Sequence, residues 1–264
     1  MNYKNENMKM IELHENGLDI QFRIRENGVV ELADFSSQEV KKAVMEPKED
    51  ICYPAVEIHR SGTGSLNMHA YKNNINQSAV DFVYENHELK AQAGGKELEI
   101  VMISPEKLKA VYHMRLFDGV PAVQTWTEII NEGSEDQGLT YVSSFMYQGI
   151  SRGGEKPYYK KTDIYVPFNS WCCEAQWQKY DAETLNLNGM VVDGFNHQGY
   201  GLNRYCYSGK GTWSTCEYLP MGIAEDRETG ETYIFQIESS GQWLAGILLA
   251  EQLHVALDLV GDVR

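Results

Sequence analysis

An all-β fold, built as one large antiparallel β-sandwich, is what the 264-residue sequence predicts. Three observations carry that prediction. Apolar side chains recur at every second position in many short segments, the spacing that puts them on one face of a pleated strand. Pairs such as Asn16-Gly17 and Asn27-Gly28, which tolerate the positive φ of tight hairpins, separate those segments. Helical spacing is nearly absent: only Ser37 to Glu46 reads as a short helix, and Pro47 stops it.

Leu18, Ile20, Phe22 and Ile24 alternate with Asp19, Gln21, Arg23 and Arg25, which predicts a half-buried strand near 18–25. Bracketed by the two Asn-Gly pairs, it opens a β-meander. Leu98, Ile100 and Met102 give a strand near 97–103, and Tyr112, Met114 and Leu116 form the next apolar face. Alternation returns near 122–130, where Trp126, Glu128 and Ile130 interleave with Thr125, Thr127 and Ile129 before Asn131-Glu132-Gly133 turns the chain. Leu139, Tyr141, Ser143, Phe145 and Tyr147 place a strand near 139–147. Tyr233, Phe235 and Ile237 place another near 231–238, and Leu253, Val255, Leu257 and Leu259 a last one near 252–259. Aromatic and β-branched residues suit these surfaces because their bulk packs against cross-strand neighbours. Ser151 to Lys161 forms a local basic loop, and Tyr180 to Gly201 is rich in Asn and Gly. Neither has the make-up of a linker and no internal repeat is present, so one domain over 1–264 is expected.

Composition narrows the function. Hydrophobic residues make up 42% and charged residues 23%, ordinary for a globular chain. A net charge of −15 repels nucleic-acid phosphates and argues against DNA or RNA as a partner. No apolar run approaches the about 20 residues of a membrane-spanning helix. The polar start, Met1-Asn2-Tyr3-Lys4, lacks the apolar stretch of a secretory signal. Five cysteines (Cys52, Cys172, Cys173, Cys206 and Cys216) are an odd number without framework spacing, which fits reduced thiols in a cytoplasmic protein. Asn76-Gln77-Ser78 matches a glycosylation sequon, read as chance in that compartment.

Catalytic signatures do not emerge. Seven histidines are scattered with no metal-ligand spacing. His59 and His69 share a loop-rich stretch and read as a chance pair. Cys172 and Cys173, taken as strand neighbours, point to opposite faces; that argues against joint ligation and for one of them packing inward. There is no GxSxG elbow and no phosphate loop, and the 38 acidic residues offer too many carboxylate pairs to single one out. No metal or cofactor is expected. Trp171, Trp177, Trp213 and Trp243 crowd the C-terminal half. Their flat faces fit two readings, a packed core or a surface for stacking sugar rings.

Several phrases then follow one another along the chain. They are Tyr53-Pro54 with Val56-Glu57-Ile58, Leu98-Glu99-Ile100-Val101, and Trp126-Thr127-Glu128-Ile129-Ile130-Asn131-Glu132-Gly133. Next come Trp177-Gln178 with Thr184-Leu185, and Gly211-Thr212-Trp213-Ser214-Thr215 leading into Tyr218-Leu219-Pro220-Met221-Gly222. Phe235-Gln236-Ile237-Glu238 with Gly241-Gln242-Trp243 closes the series. In this order, and over nearly the whole chain, they resemble the N-terminal domain of glycoside hydrolase family 36, the bacterial α-galactosidases (melibiases).

The resemblance implies a β-supersandwich whose partner is a following (β/α)8 barrel that carries both catalytic aspartates. Such a barrel takes about 250 residues, and the sequence ends at Arg264, shortly after Leu257-Asp258-Leu259. The expectation is a truncated domain with no catalytic residue of its own and no activity alone. In the complete enzyme it would support the barrel, the active-site mouth and a homo-oligomer, with an α-galactoside as substrate. Many family members carry a YPxxGxxDFR-like phrase; here Tyr53-Pro54 leads instead to Glu57-Ile58-His59-Arg60. Arg60 is kept as a sugar-contact candidate beside Trp213 and Trp177. A domain parted from its barrel would also expose an apolar patch, expected around Trp213 to Met221, and would self-associate. Two alternatives stand: a stand-alone carbohydrate-binding β-sandwich using Trp213 or Trp177, and a supersandwich aldose epimerase with a His/Glu acid–base pair.

Overall fold

The computed structural model describes residues 8–39, 52–63, 77–187, 204–210, 212–249 and 253–259. Antiparallel strands dominate these residues, and the only helices among them are two four-residue turns. The chain divides into two compact units, Met1–Ser144 and Phe145–Arg264.

In the first unit, β1 (Lys9–Glu15), β2 (Leu18–Ile24) and β3 (Val30–Ser37) form a three-stranded sheet in sequence order. Asn16 and Gly17 close the β1–β2 hairpin with φ of 54° and 82°, the paired positive angles for which Asn-Gly is suited. β4 (Ile58–Arg60) and α1 (Gln77–Val80) follow. Then β5 (Val83–Gln92), β6 (Gly95–Ile103), β7 (Leu108–Phe117) and β8 (Val120–Asn131) make a four-stranded meander. β9 (Leu139–Gln148) pairs with β4, setting Ile58 against Val142 and His59 against Tyr141, and leads into the second unit.

Alternation decides what the first unit buries. Ile20 and Phe22 on β2, Leu98 and Ile100 on β6, and Tyr112 and Met114 on β7 are all fully buried. Phe22 meets Tyr112 edge to face, with ring centroids 5.8 Å apart, so the two sheets pack through their apolar faces as a sandwich does. Each such side chain contributes about 1.5–3 kcal/mol by leaving water. Polar clips hold the rim: Lys96 Nζ lies 2.5 Å from Glu15 Oε1, and the Gly119 N–H donates to Asn16 Oδ1 at 2.9 Å.

The second unit contains α2 (Tyr158–Lys161), β10 (Thr162–Ser170), β11 (Cys173–Asp181), β12 (Arg204–Gly209), β13 (Met221–Asp226), β14 (Thr232–Gln236), β15 (Trp243–Leu249) and β16 (Leu253–Leu259). Its sheets run β11-β10-β13-β14 and β12-β15-β16. The Tyr207 hydroxyl links them, and Trp243 packs beside it on the neighbouring strand. Their rings meet at 85° with centroids 5.7 Å apart, the Tyr207 hydroxyl donates to Met221 O at 2.8 Å, and Trp243 Nε1 donates to Ser214 O at 2.6 Å.

The strands expected near 18–25, 97–103, 122–130, 139–147, 231–238 and 252–259 are β2, β6, β8, β9, β14 and β16. Three expectations need correction. Ser37 is the last residue of β3, paired with Leu18, rather than the start of a helix; Gln38 and Glu39 turn the chain, and the rest of the expected helix lies outside the described residues. His59 sits on β4 and is buried, stacked on Tyr141, not on a loop; His69 lies outside the described residues. Neither Cys172 nor Cys173 packs inward, because Cys172 is not on a strand: with φ of 61° it forms the β10–β11 turn, and both thiols are exposed. Cys52, Cys172, Cys173 and Cys216 are free thiols. No helix among the described residues is long and apolar enough to cross a membrane.

Candidate functional site

The β10–β11 hairpin tip carries the most exposed aromatic surface among the described residues. Trp171 is 80% exposed and Trp213 62%, yet their indoles stack on each other, with centroids 6.3 Å and planes 14° apart. Asn169 arranges this. Its backbone N–H donates to Glu217 O (2.9 Å), its Nδ2 donates to Thr215 O (2.5 Å), and its Oδ1 accepts from the Ala175 N–H (3.0 Å). One short side chain therefore ties the hairpin tip to the loop before β13, and each contributes one tryptophan. Phe168 and Tyr218 add a bridge beneath, with rings 5.1 Å apart.

The four tryptophans of this half divide by position. Trp177 lies further along β11, opposite Pro167, and is 37% exposed. Trp243 is 1% exposed and belongs to the core. Within the segment expected to be open, Trp213 is exposed while Tyr218 and Met221 are half-buried. Sequence reasoning had grouped Trp171 with the other aromatics without singling it out. The available signal was Asn169-Ser170, two turn-forming residues between strand patterns, which puts Trp171 at a tip.

Arg60 belongs to the first unit and is buried. Its Nη1 lies 2.5 Å from Glu106 Oε2 and its Nη2 3.1 Å from Asp81 Oδ2. Ser104 Oγ also donates to Glu106 Oε2, at 2.9 Å. Burial works against the Glu106 charge, but its own backbone N–H, Arg60 and Ser104 outweigh it and hold the carboxyl below the ordinary range. Close by, His59 Nε2 and Glu57 Oε1 lie 3.0 Å apart, both buried.

A third group of ionisable side chains lies on the outward face of the four-stranded meander. Glu97 and Glu99 alternate on β6, and His113 on β7 stands directly opposite Glu99. His113 Nδ1 is 3.0 Å from Glu97 Oε1 and 3.9 Å from Glu99 Oε1. These three are the one group among the described residues whose ligand atoms all lie within 4.8 Å of one another. Nothing in their sequence spacing shows it: i and i+2 on one strand join a partner fourteen residues on only through the strand register.

No family model matches the sequence, and no curated protein matches it. Its structure is similar to parts of solved α-galactosidases. Against the α-galactosidase AgaA of glycoside hydrolase family 36 from Geobacillus stearothermophilus the TM-score is 0.62 at 13% identity, over 94% of this chain and 37% of that one. The α-galactosidase from Lactobacillus brevis gives 0.63 at 14%, over 96% and 36%. The galactosidase domain of the α-galactosidase–sucrose kinase AgaSK gives 0.66 at 14%, over 96% and 37%. The chain thus shares their fold while spanning little more than a third of their length.

Proposed function

We propose that this chain serves as the N-terminal β-supersandwich domain of a family 36 α-galactosidase, partnered by a (β/α)8 barrel that carries the catalytic carboxylates. One observation carries the reading: 94–96% of the chain aligns with α-galactosidases solved separately, at TM-scores of 0.62–0.66. The order of phrases from Tyr53-Pro54 to Gly241-Gln242-Trp243 points the same way. In this role the domain braces the barrel, shapes the mouth of the active site and supports a homo-oligomer in the cytoplasm. Hydrolysis of terminal α-galactosides would retain configuration through two carboxylates of the barrel, one as nucleophile and one as acid/base. Trp213 and Trp177 remain the sugar-contact candidates on this chain. Arg60 joins them only by giving up part of its hold on Asp81 and Glu106.

The test compares residues 1–264 with the protein encoded by the complete reading frame of the source gene, both assayed with a chromogenic α-galactoside. Turnover by the longer protein and none by residues 1–264 is the expected result. A complete frame without a barrel refutes the proposal. So does turnover by residues 1–264 that a substitution within them abolishes.

A second reading, a carbohydrate-binding surface, is favoured by the Trp171–Trp213 stack, whose outer faces are open to solvent. Galactose-containing oligosaccharides would then quench tryptophan fluorescence saturably, and Trp171→Ala with Trp213→Ala would remove the response. Unchanged quenching in that double variant rules this reading out.

A further inference from the structure

We propose that Glu97, Glu99 and His113 form a binding site for a divalent first-row metal ion, with Zn2+ the ion best matched to the donor set. An imidazole and two carboxylates are ligands that Zn2+ accepts in tetrahedral geometry, leaving the fourth position to water. Zn–N and Zn–O bonds of about 2.0–2.2 Å place neighbouring donors about 3.3 Å apart. The distances from His113 Nδ1 to the two carboxylates, 3.0 and 3.9 Å, bracket that value, so sub-ångström movements of these side chains close the site.

The surroundings hold each ligand in the orientation a metal needs. Lys90 Nζ takes the outer oxygen of Glu99, Oε2, at 2.5 Å, and Gln92 Nε2 reaches the outer oxygen of Glu97, Oε2, at 3.5 Å. Both inner oxygens are thereby turned toward the imidazole. Trp126 stacks flat on the His113 ring, with centroids 4.6 Å and planes 6° apart, which fixes the ring plane. These are the supports that commonly surround a metal's direct ligands.

An independent observation comes from the other ring nitrogen. His113 is only 8% exposed, and its Nε2 has no hydrogen-bond partner among the described residues; the carboxylate oxygen Glu128 Oε2 lies 3.8 Å away. With the proton on Nδ1, donated to Glu97, Nε2 is a buried acceptor left unsatisfied, which is costly. A metal on Nδ1 moves the proton to Nε2, and Glu128 on the neighbouring strand is placed to accept it. One ion therefore satisfies both nitrogens and offsets the repulsion between the carboxylates.

Zn2+ titration of the intact chain, followed by calorimetry and by the His113 ring 15N shifts, tests the site. Exposed Cys172, Cys173 and Cys216 are alkylated first to remove competing thiolates. One ion per chain is expected, with a large shift at His113 Nδ1 and weakening as the pH falls, because a proton competes for that nitrogen. Glu97→Gln and Glu99→Gln should each weaken binding at least tenfold. Glu128→Gln, at an exposed residue, should weaken it about 10–100-fold. An absence of saturable binding overturns the proposal. So does binding that these variants leave unchanged, or His113 ring 15N shifts that do not respond to Zn2+.

Discussion

Lys161 Nζ and Asp226 Oδ2 lie 2.7 Å apart, and neither residue is exposed. A buried ion pair loses the hydration of both ions, and persists only when hydrogen bonds satisfy what remains. Here they do. Ser151 Oγ donates to Asp226 Oδ2 at 3.1 Å, the N–H groups of Glu228 and Thr229 donate to its Oδ1 at 2.9 and 3.2 Å, and Lys161 also donates to Gly153 O. The network thus joins the segment after β9, the β10 entry and the β13–β14 turn.

Replacing Asp226 with Asn leaves the Lys161 ammonium buried without its counter-charge. A loss of about 3–5 kcal/mol is expected, the usual cost of removing one member of a buried pair. Urea unfolding measures it. A loss under about 1 kcal/mol would mean that water or another carboxylate, Glu228 at 3.5 Å foremost, has replaced the partner.

Acid should act through the same residue. Burial disfavours the Asp226 charge, but Lys161 and the two backbone N–H groups outweigh it, so the folded carboxyl titrates below its ordinary value of 3.8. The folded state therefore binds this proton less tightly than the unfolded state does. Its contribution is complete above about pH 4 and is lost as the pH falls through the depressed folded value. Urea midpoints should decline below about pH 4, and more steeply in the native chain than in Asp226→Asn. Equal declines in the two proteins would remove Asp226 from the account.

Two tryptophans should respond to the same substitution to very different extents. Trp243→Ala opens a cavity in the core and orphans Ser214 O, at an expected cost of about 3–5 kcal/mol. Trp213→Ala loses only a solvent-facing stack with Trp171, expected to cost no more than about 1.5 kcal/mol. Thermal or denaturant unfolding of the two variants separates them. A similar loss in both would show that the Trp171–Trp213 surface is structural.

What the sequence made legible follows from chain-local rules. Leu18 to Ile24 declares its face because period two needs no partner to be read, and Asn16-Gly17 declares the hairpin because its φ angles are local. Cys172 misled because a single residue at positive φ breaks strand alternation without a glycine to announce it. Ser37 misled because a strand with one wet face ends in the same polar residues that begin a helix. The Glu97, Glu99 and His113 group was invisible for another reason. It depends on β6–β7 register, which pairs Glu99 with His113, and register is a property of two strands rather than one.

Gly95 gives a test of that register. At φ of 158° it opens β6 opposite Phe117, and a Cβ added there would lie 1.9 Å from Leu116 O. The obstacle is backbone, so relief requires β6 and β7 to part at their pairing. Gly62, at φ of 83°, also has a conformation that side chains resist, but a Cβ there meets nothing within 4 Å. Gly62→Ala should therefore cost only the conformational strain, about 1–2 kcal/mol. Gly95→Ala should cost about 1–3 kcal/mol more, the penalty of overpacking added to strain. Hydrogen exchange locates the damage: faster exchange should be confined to amides of the β6–β7 ladder near Lys96 and Leu116. Equal stability of the two variants would mean that β7 does not approach Gly95 this closely, and the assignment of Glu99 opposite His113 would fall with it.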